Sequence, residues 1–85
     1  MTLNNKLAQK RLLIIGGSSG IGLATAQQAT AAGAQIIVAG RSEAKLQAAV
    51  ASIGGDVTAY PVDLTDDGSV RSLFEQVGAL DYLVI

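Results

Sequence analysis

The sequence predicts a doubly wound α/β fold, a parallel sheet of four strands alternating with three helices. Three observations lead there. Four short apolar runs recur along the chain, and the first, Leu12-Leu13-Ile14-Ile15, carries no polar interruption, as a strand buried on both faces requires. Between them lie three Pro-free stretches of helix-forming composition or spacing. Each switch from one to the next is punctuated by Gly or by a capping acid.

Taken in order, the run Leu12-Leu13-Ile14-Ile15 after Arg11 is the first strand, stopped by Gly16-Gly17. Ile21 to Ala32 is rich in Ala, Leu and Gln and ends at Gly33, which suits a helix and its left-handed cap. Ile36-Ile37-Val38-Ala39 is the second strand, closed by Gly40-Arg41. Leu46, Ala49, Val50 and Ile53 share one helix face, and Gly54-Gly55 ends that helix. Val57 to Val62 is the third strand. Pro61 has no N–H to donate and so belongs at its end or on a sheet edge. Thr65-Asp66-Asp67 supplies cap and first-turn acids to a third helix, whose apolar face is Val70, Leu73, Phe74 and Val77. The last strand falls in Leu80 to Ile85.

The order βαβαβαβ, with right-handed crossovers, leads to strand order 3-2-1-4. A flavodoxin-like sheet has the same alternation and a different order, and alternation alone does not separate them. The connections are a few residues long and no linker divides them, so residues 1–85 are expected to form a single, incomplete domain.

Composition excludes whole classes of chemistry. Without His or Cys there is no thiolate zinc cluster, no Ser-His-Asp triad, no thiol redox centre and no disulfide, and no metal site is expected. A net charge of −1 provides no broad field for nucleic acid or an anionic membrane. No apolar run approaches the roughly 18 residues that span a bilayer. The start, Met1-Thr2-Leu3-Asn4-Asn5-Lys6, lacks a secretory apolar core, so a cytoplasmic location and a small partner are expected.

The turn between the first strand and the first helix reads Gly16-Gly17-Ser18-Ser19-Gly20-Ile21-Gly22. Glycines there permit a positive φ, let the backbone approach a pyrophosphate, and bring helix and strand close together. The helix N-terminus offers free N–H groups and partial positive charge to phosphates. A Walker-type loop needs a closing Lys-Ser/Thr pair, and Ile21-Gly22 stands in its place. A ligand-free structural turn is the competing reading. Ser18 and Ser19 are able to donate to phosphate and equally able to cap the helix.

With these residues in place the chain resembles the classical short-chain dehydrogenase/reductase family, in its N-terminal cofactor-binding portion. The resemblance rests on Gly16, Gly20 and Gly22 in the loop, Arg41 after the second strand, and Asp63-Leu64 after the third. Lys10 and Leu80-Asp81-Tyr82-Leu83-Val84 add to it, and it extends over the chain from Leu7 onward. One departure is Ile15, where the family usually has a Thr whose hydroxyl helps hold the loop. The resemblance implies a Rossmann-like domain and an oxidoreductase that interconverts a carbonyl and an alcohol, and it suggests a homo-oligomer.

Arg41 bears on the cofactor. NAD-binding sites commonly end the second strand with an acid that accepts from the ribose hydroxyls, and a carboxylate there would repel a 2′-phosphate. Here the strand ends Gly40-Arg41-Ser42, and a guanidinium holds a phosphate through two parallel charge-assisted bonds. NADP is the expected cofactor. S-adenosylmethionine sites also want an acid at this place, so Arg41 argues against them. A solvated Arg that merely opens the second helix is the plain alternative.

Asp63 stands where the family contacts the adenine amino group, with a turn or cap acceptor as its structural alternative. Ser42-Glu43-Ala44-Lys45 matches the S-x-x-K spacing of a nucleophile motif by chance, since no companion motif accompanies it.

The resemblance also implies a catalytic Tyr-x-x-x-Lys pair assisted by a Ser, and none occurs here. Leu64 is the fourth residue after Tyr60, and only three residues follow Tyr82. No catalytic residue is therefore assigned, and the 85 residues alone are expected to be inactive. The reading is the cofactor-binding portion of an NADP-dependent oxidoreductase. A stand-alone dinucleotide-binding or interaction module without turnover is the alternative.

Overall fold

The computed structural model describes residues 8–16 and 20–84, and side chains at 20 and 21 are outside that description. Strand β1 is Arg11–Ile15, helix α1 Gly20–Ala31, β2 Gln35–Gly40, α2 Glu43–Ile53, β3 Val57–Pro61, α3 Asp67–Val77 and β4 Tyr82–Val84. The sheet is parallel throughout in the order β3-β2-β1-β4, as expected from a doubly wound chain. Leu13 of β1 pairs with Ile37 of β2 and with Leu83 of β4. Pro61 ends β3, an edge strand, which satisfies both placements open to a residue without an N–H.

Alternate residues of the central strands supply two separate cores. Leu12, Ile14, Ile36 and Val38 pack with Ala26 and Ala29 of α1 and Leu46 of α2 on one face of the sheet. Leu13, Ile37 and Ala39 pack with Val62 and with Leu73 and Val77 of α3 on the other. The continuous apolar runs are explained by this arrangement, because both sides of β1 and β2 are covered. Small side chains on α1 let that helix lie close to the sheet. One member of the α3 stripe departs from expectation: Phe74 remains 37% exposed while Leu73 and Val77 are buried.

The starts of α2 and α3 are set by local polar groups. Ser42 caps α2 through its Oγ, which accepts from Lys45 N–H at 3.2 Å. Asp66 caps α3, its Oδ1 accepting from Gly68 N–H at 2.9 Å and Ser69 N–H at 3.4 Å. At the other end of α3, Arg11 Nη1 donates to the carbonyls of Val77 and Ala79, each at 2.7 Å. The Arg11 N–H donates to Asp81 Oδ2 at 2.9 Å, and Asp81 N–H returns a bond to the Arg11 carbonyl at 3.0 Å. This clasp satisfies carbonyls at the helix terminus and brings the chain into register for β4.

The turn from α2 to β3 docks against α1. Gly55 has φ +70°, and a Cβ there would collide with Thr30 Cγ2, so both backbone conformation and space demand glycine. Thr30 Oγ1 is buried and has no hydrogen-bond partner among the described residues. Thr30→Val keeps the shape and removes the unsatisfied hydroxyl, so it is expected to stabilise the protein by about 1 kcal/mol. A urea denaturation midpoint that falls instead of rising would contradict this account.

Candidate cofactor site

The carboxyl ends of β1, β2 and β3 open on one cleft of about 480 Å³. Its walls are Ile15 of β1 and Gly16 just after it, Gly40 to Ser42 with Lys45 from the passage into α2, and Val62 to Thr65 after β3. Ligands of open α/β sheets bind beyond the carboxyl ends of the strands, and pockets of 300–1,000 Å³ are the usual size, to order of magnitude.

Gly16 turns out of β1 at φ +82°, with nothing within 4 Å of the place a Cβ would occupy. Its N–H donates to the Ala39 carbonyl at 2.8 Å, which ties the start of the loop to β2. The result is a fixed backbone with open space beside it. Across the cleft, Val62 N–H donates to the Gly40 carbonyl at 2.8 Å and holds the ends of β2 and β3 together. Arg41 is exposed immediately after β2, and none of the described hydrogen bonds engages its guanidinium.

Asp63 is fixed at two points. Its N–H donates to Ser69 Oγ at 2.9 Å. Its Oδ1 accepts from Thr65 N–H at 2.9 Å and from Thr65 Oγ1 at 2.6 Å. The Thr65 hydroxyl, and after it the Thr65 N–H, hold the Asp63 carboxyl below the usual carboxylate range. Partial burial opposes the shift and the charge of Arg41 adds to it. Because the folded pKa lies below the unfolded one, this contribution to stability is present at neutral pH and is lost only as pH falls through the folded value. Asp63 is thus an ionised acceptor across the physiological range.

The structure brings together Gly16, Arg41, Ser42, Asp63 and Leu64 of the expected set. Ser42 also serves as a helix cap, and Leu64 is 55% exposed. Gly17, Ser18 and Ser19 lie outside the described residues. Gly20, Ile21 and Gly22 open α1, and the half-buried Gly22 does not line the cleft among the described residues. Sequence reasoning missed five lining residues, Ile15, Gly40, Lys45, Val62 and Thr65, of which Lys45 and Thr65 carry polar side chains. The signal for Lys45 was its place three residues after the Ser42 cap, in the same turn that follows Arg41. Thr65 could have been found from the Asp-x-Thr spacing, which closes a side-chain turn. Among the described residues no group of three or more metal-ligating side chains occurs.

The strand order and the two-sided packing define a Rossmann-like α/β module. The sequence pattern of the short chain dehydrogenases matches residues 10–85, and the chain belongs to that family. It is 40% identical over 88 residues to galactitol 2-dehydrogenase of Agrobacterium fabrum, covering 99% of this chain and 33% of that protein. It is 38% identical over 82 residues to a fatty acyl-CoA reductase of Acinetobacter baylyi, covering 88% and 28% respectively. Among solved structures, a short chain dehydrogenase/reductase family protein superimposes with a TM-score of 0.89 at 36% identity, over 92% of this chain and 33% of that one. A citronellol catabolism dehydrogenase of Pseudomonas aeruginosa PAO1 superimposes with a TM-score of 0.86 at 28% identity, over 94% and 36%. The chain therefore spans about a third of the length of these relatives. The family works with nicotinamide dinucleotides.

Proposed function

We propose that the chain is the cofactor-binding portion of an NADP-dependent short-chain oxidoreductase acting on a carbonyl/alcohol pair. The observation that carries this reading is the end of β2. Arg41, with no carboxylate beside it on that strand end, opens onto the same cleft as Gly16 and Asp63, and Lys45 adds a second cation to the same wall.

The residues present fit the adenosine half of the cofactor. Gly16 offers close approach to the backbone, and the start of α1 would offer N–H groups to the pyrophosphate. Ile15, Val62 and Leu64 supply apolar surface for the base, and Asp63 an ionised acceptor for its amino group. Arg41 and Lys45 would neutralise a 2′-phosphate, Arg41 as a bidentate fork and Lys45 as a point charge. The bound nicotinamide supplies the hydride chemistry. No Tyr-x-x-x-Lys pair occurs in the 85 residues, so no catalytic group is assigned among them. The names of the relatives, dehydrogenases and reductases alike, support an oxidoreductase.

Calorimetric titration with 2′,5′-ADP and with 5′-AMP tests the reading. Tighter binding of 2′,5′-ADP is expected. Equal affinities, or a preference for 5′-AMP, would overturn the assignment of NADP.

A further inference from the structure

We propose that Thr65 is a positioning residue for base recognition: it anchors Oδ1 of Asp63 and so presents Oδ2 to the exocyclic amino group of an adenine. The inference deepens the reading of the cleft as a cofactor site and rests on it.

Asp63 and Thr65 both line the cleft. Both Thr65 donors, the N–H at 2.9 Å and the hydroxyl at 2.6 Å, converge on the same carboxylate oxygen. Oδ2 takes none of the described hydrogen bonds, so the second oxygen keeps its acceptor capacity. The main chain of Asp63 is held separately, by Ser69 Oγ at 2.9 Å. Backbone and side chain are therefore fixed by different partners, and removal of the Thr65 hydroxyl loosens the carboxylate, which keeps the Thr65 N–H alone, without releasing the chain. A carboxylate restricted in this way loses less rotamer freedom when it accepts an N–H from a ligand, which favours the bound state. An ordinary side-chain turn would need only the backbone N–H. The second donor, the shorter of the two, locks the carboxylate orientation as well.

The charged groups around Asp63 are Arg41 and Lys45 on the facing wall and Asp66 and Asp67 at the start of α3. Arg41 favours the ionised form of Asp63, and the hydroxyl of Thr65 does so more strongly.

The test uses the full-length protein as wild type, Thr65→Val and Thr65→Ser. Binding of 5′-AMP is compared with that of inosine 5′-monophosphate, which carries a carbonyl in place of the amino group. Thr65→Val is expected to weaken 5′-AMP by about two- to tenfold, the size of one hydrogen bond. Inosine 5′-monophosphate should be unaffected, which also shows that the variant is folded, and Thr65→Ser should restore 5′-AMP. A carbon-detected NMR titration of the Asp63 carboxyl should show its pKa rising in Thr65→Val and returning in Thr65→Ser. Equal weakening of both nucleotides, no weakening of 5′-AMP, an unmoved Asp63 titration, or failure of Ser to restore binding would each overturn the role of Thr65. If wild type does not prefer 5′-AMP over the inosine nucleotide but still prefers 2′,5′-ADP over 5′-AMP, the base contact and Thr65 fall while the cofactor reading stands. If neither preference exists, both fall.

Discussion

Arg41→Ala is expected to lower affinity for 2′,5′-ADP by about one to two decades and to leave 5′-AMP unchanged. The estimate is that of charge-assisted hydrogen bonds to a phosphate, roughly 1.5–3 kcal/mol in all. Arg41 is exposed, so the effect should shrink as salt rises, because screening weakens solvent-facing charge pairs. Lys45 lines the same cleft and should preserve part of the preference for the 2′-phosphate. Arg41→Lys should retain some affinity and lose the bidentate geometry. The measurement is a pair of titrations at two ionic strengths. An equal loss for both nucleotides would place Arg41 in the scaffold and not at the phosphate.

The largest loss of stability is expected from Leu13→Ala. Leu13 sits at the centre of β1 with no exposed surface, between Ile37 and Leu83 in the sheet and against the core that α3 covers. Truncating such a side chain removes its transfer energy and leaves a cavity, at a cost of about 2–5 kcal/mol. Against a total stability of roughly 5–15 kcal/mol that is a large fraction. Leu13→Ile, which conserves volume, should cost less than about 1.5 kcal/mol. Denaturant titrations of the two variants should differ accordingly. A Leu13→Ala midpoint close to wild type would show that α3 is free to settle into the vacated space.

The fold was legible because each element carries its own signal. Leu12 to Ile15 and Ile36 to Ala39 announce buried strands, and the glycines between elements mark where each ends. Strand order followed from the handedness of crossovers, a rule about geometry more than about particular residues. Phe74 was harder. It shares the stripe of α3, yet it lies about 100° around the helix from Leu73. That rotation places it at the flank of the contact with the sheet. At the cleft, Arg41 and Asp63 stood out as charged groups at strand ends. Lys45 and Thr65 did not, because their contribution depends on β2 and β3 lying side by side. Only the tertiary structure brings Thr65 onto the same cleft wall system as Arg41.

The sharing of β1 between two cores makes that strand a ruler as well as a wall. Leu12 and Ile14 serve the face of α1 and α2, while Leu13 and Ile15 serve the face of α3. Inserting or deleting one residue between Arg11 and Ile15 would exchange the two sets and spoil both cores together. Inserting two would keep the parity but push Gly16 about 7 Å along the strand axis, out of step with Ala39 and the cleft. Parity thus fixes which helix each side chain meets, and length fixes where the loop begins. Relatives of this chain that differ in length are accordingly expected to accommodate the change in turns such as the one at Gly54 and Gly55, and to keep β1 at a constant count.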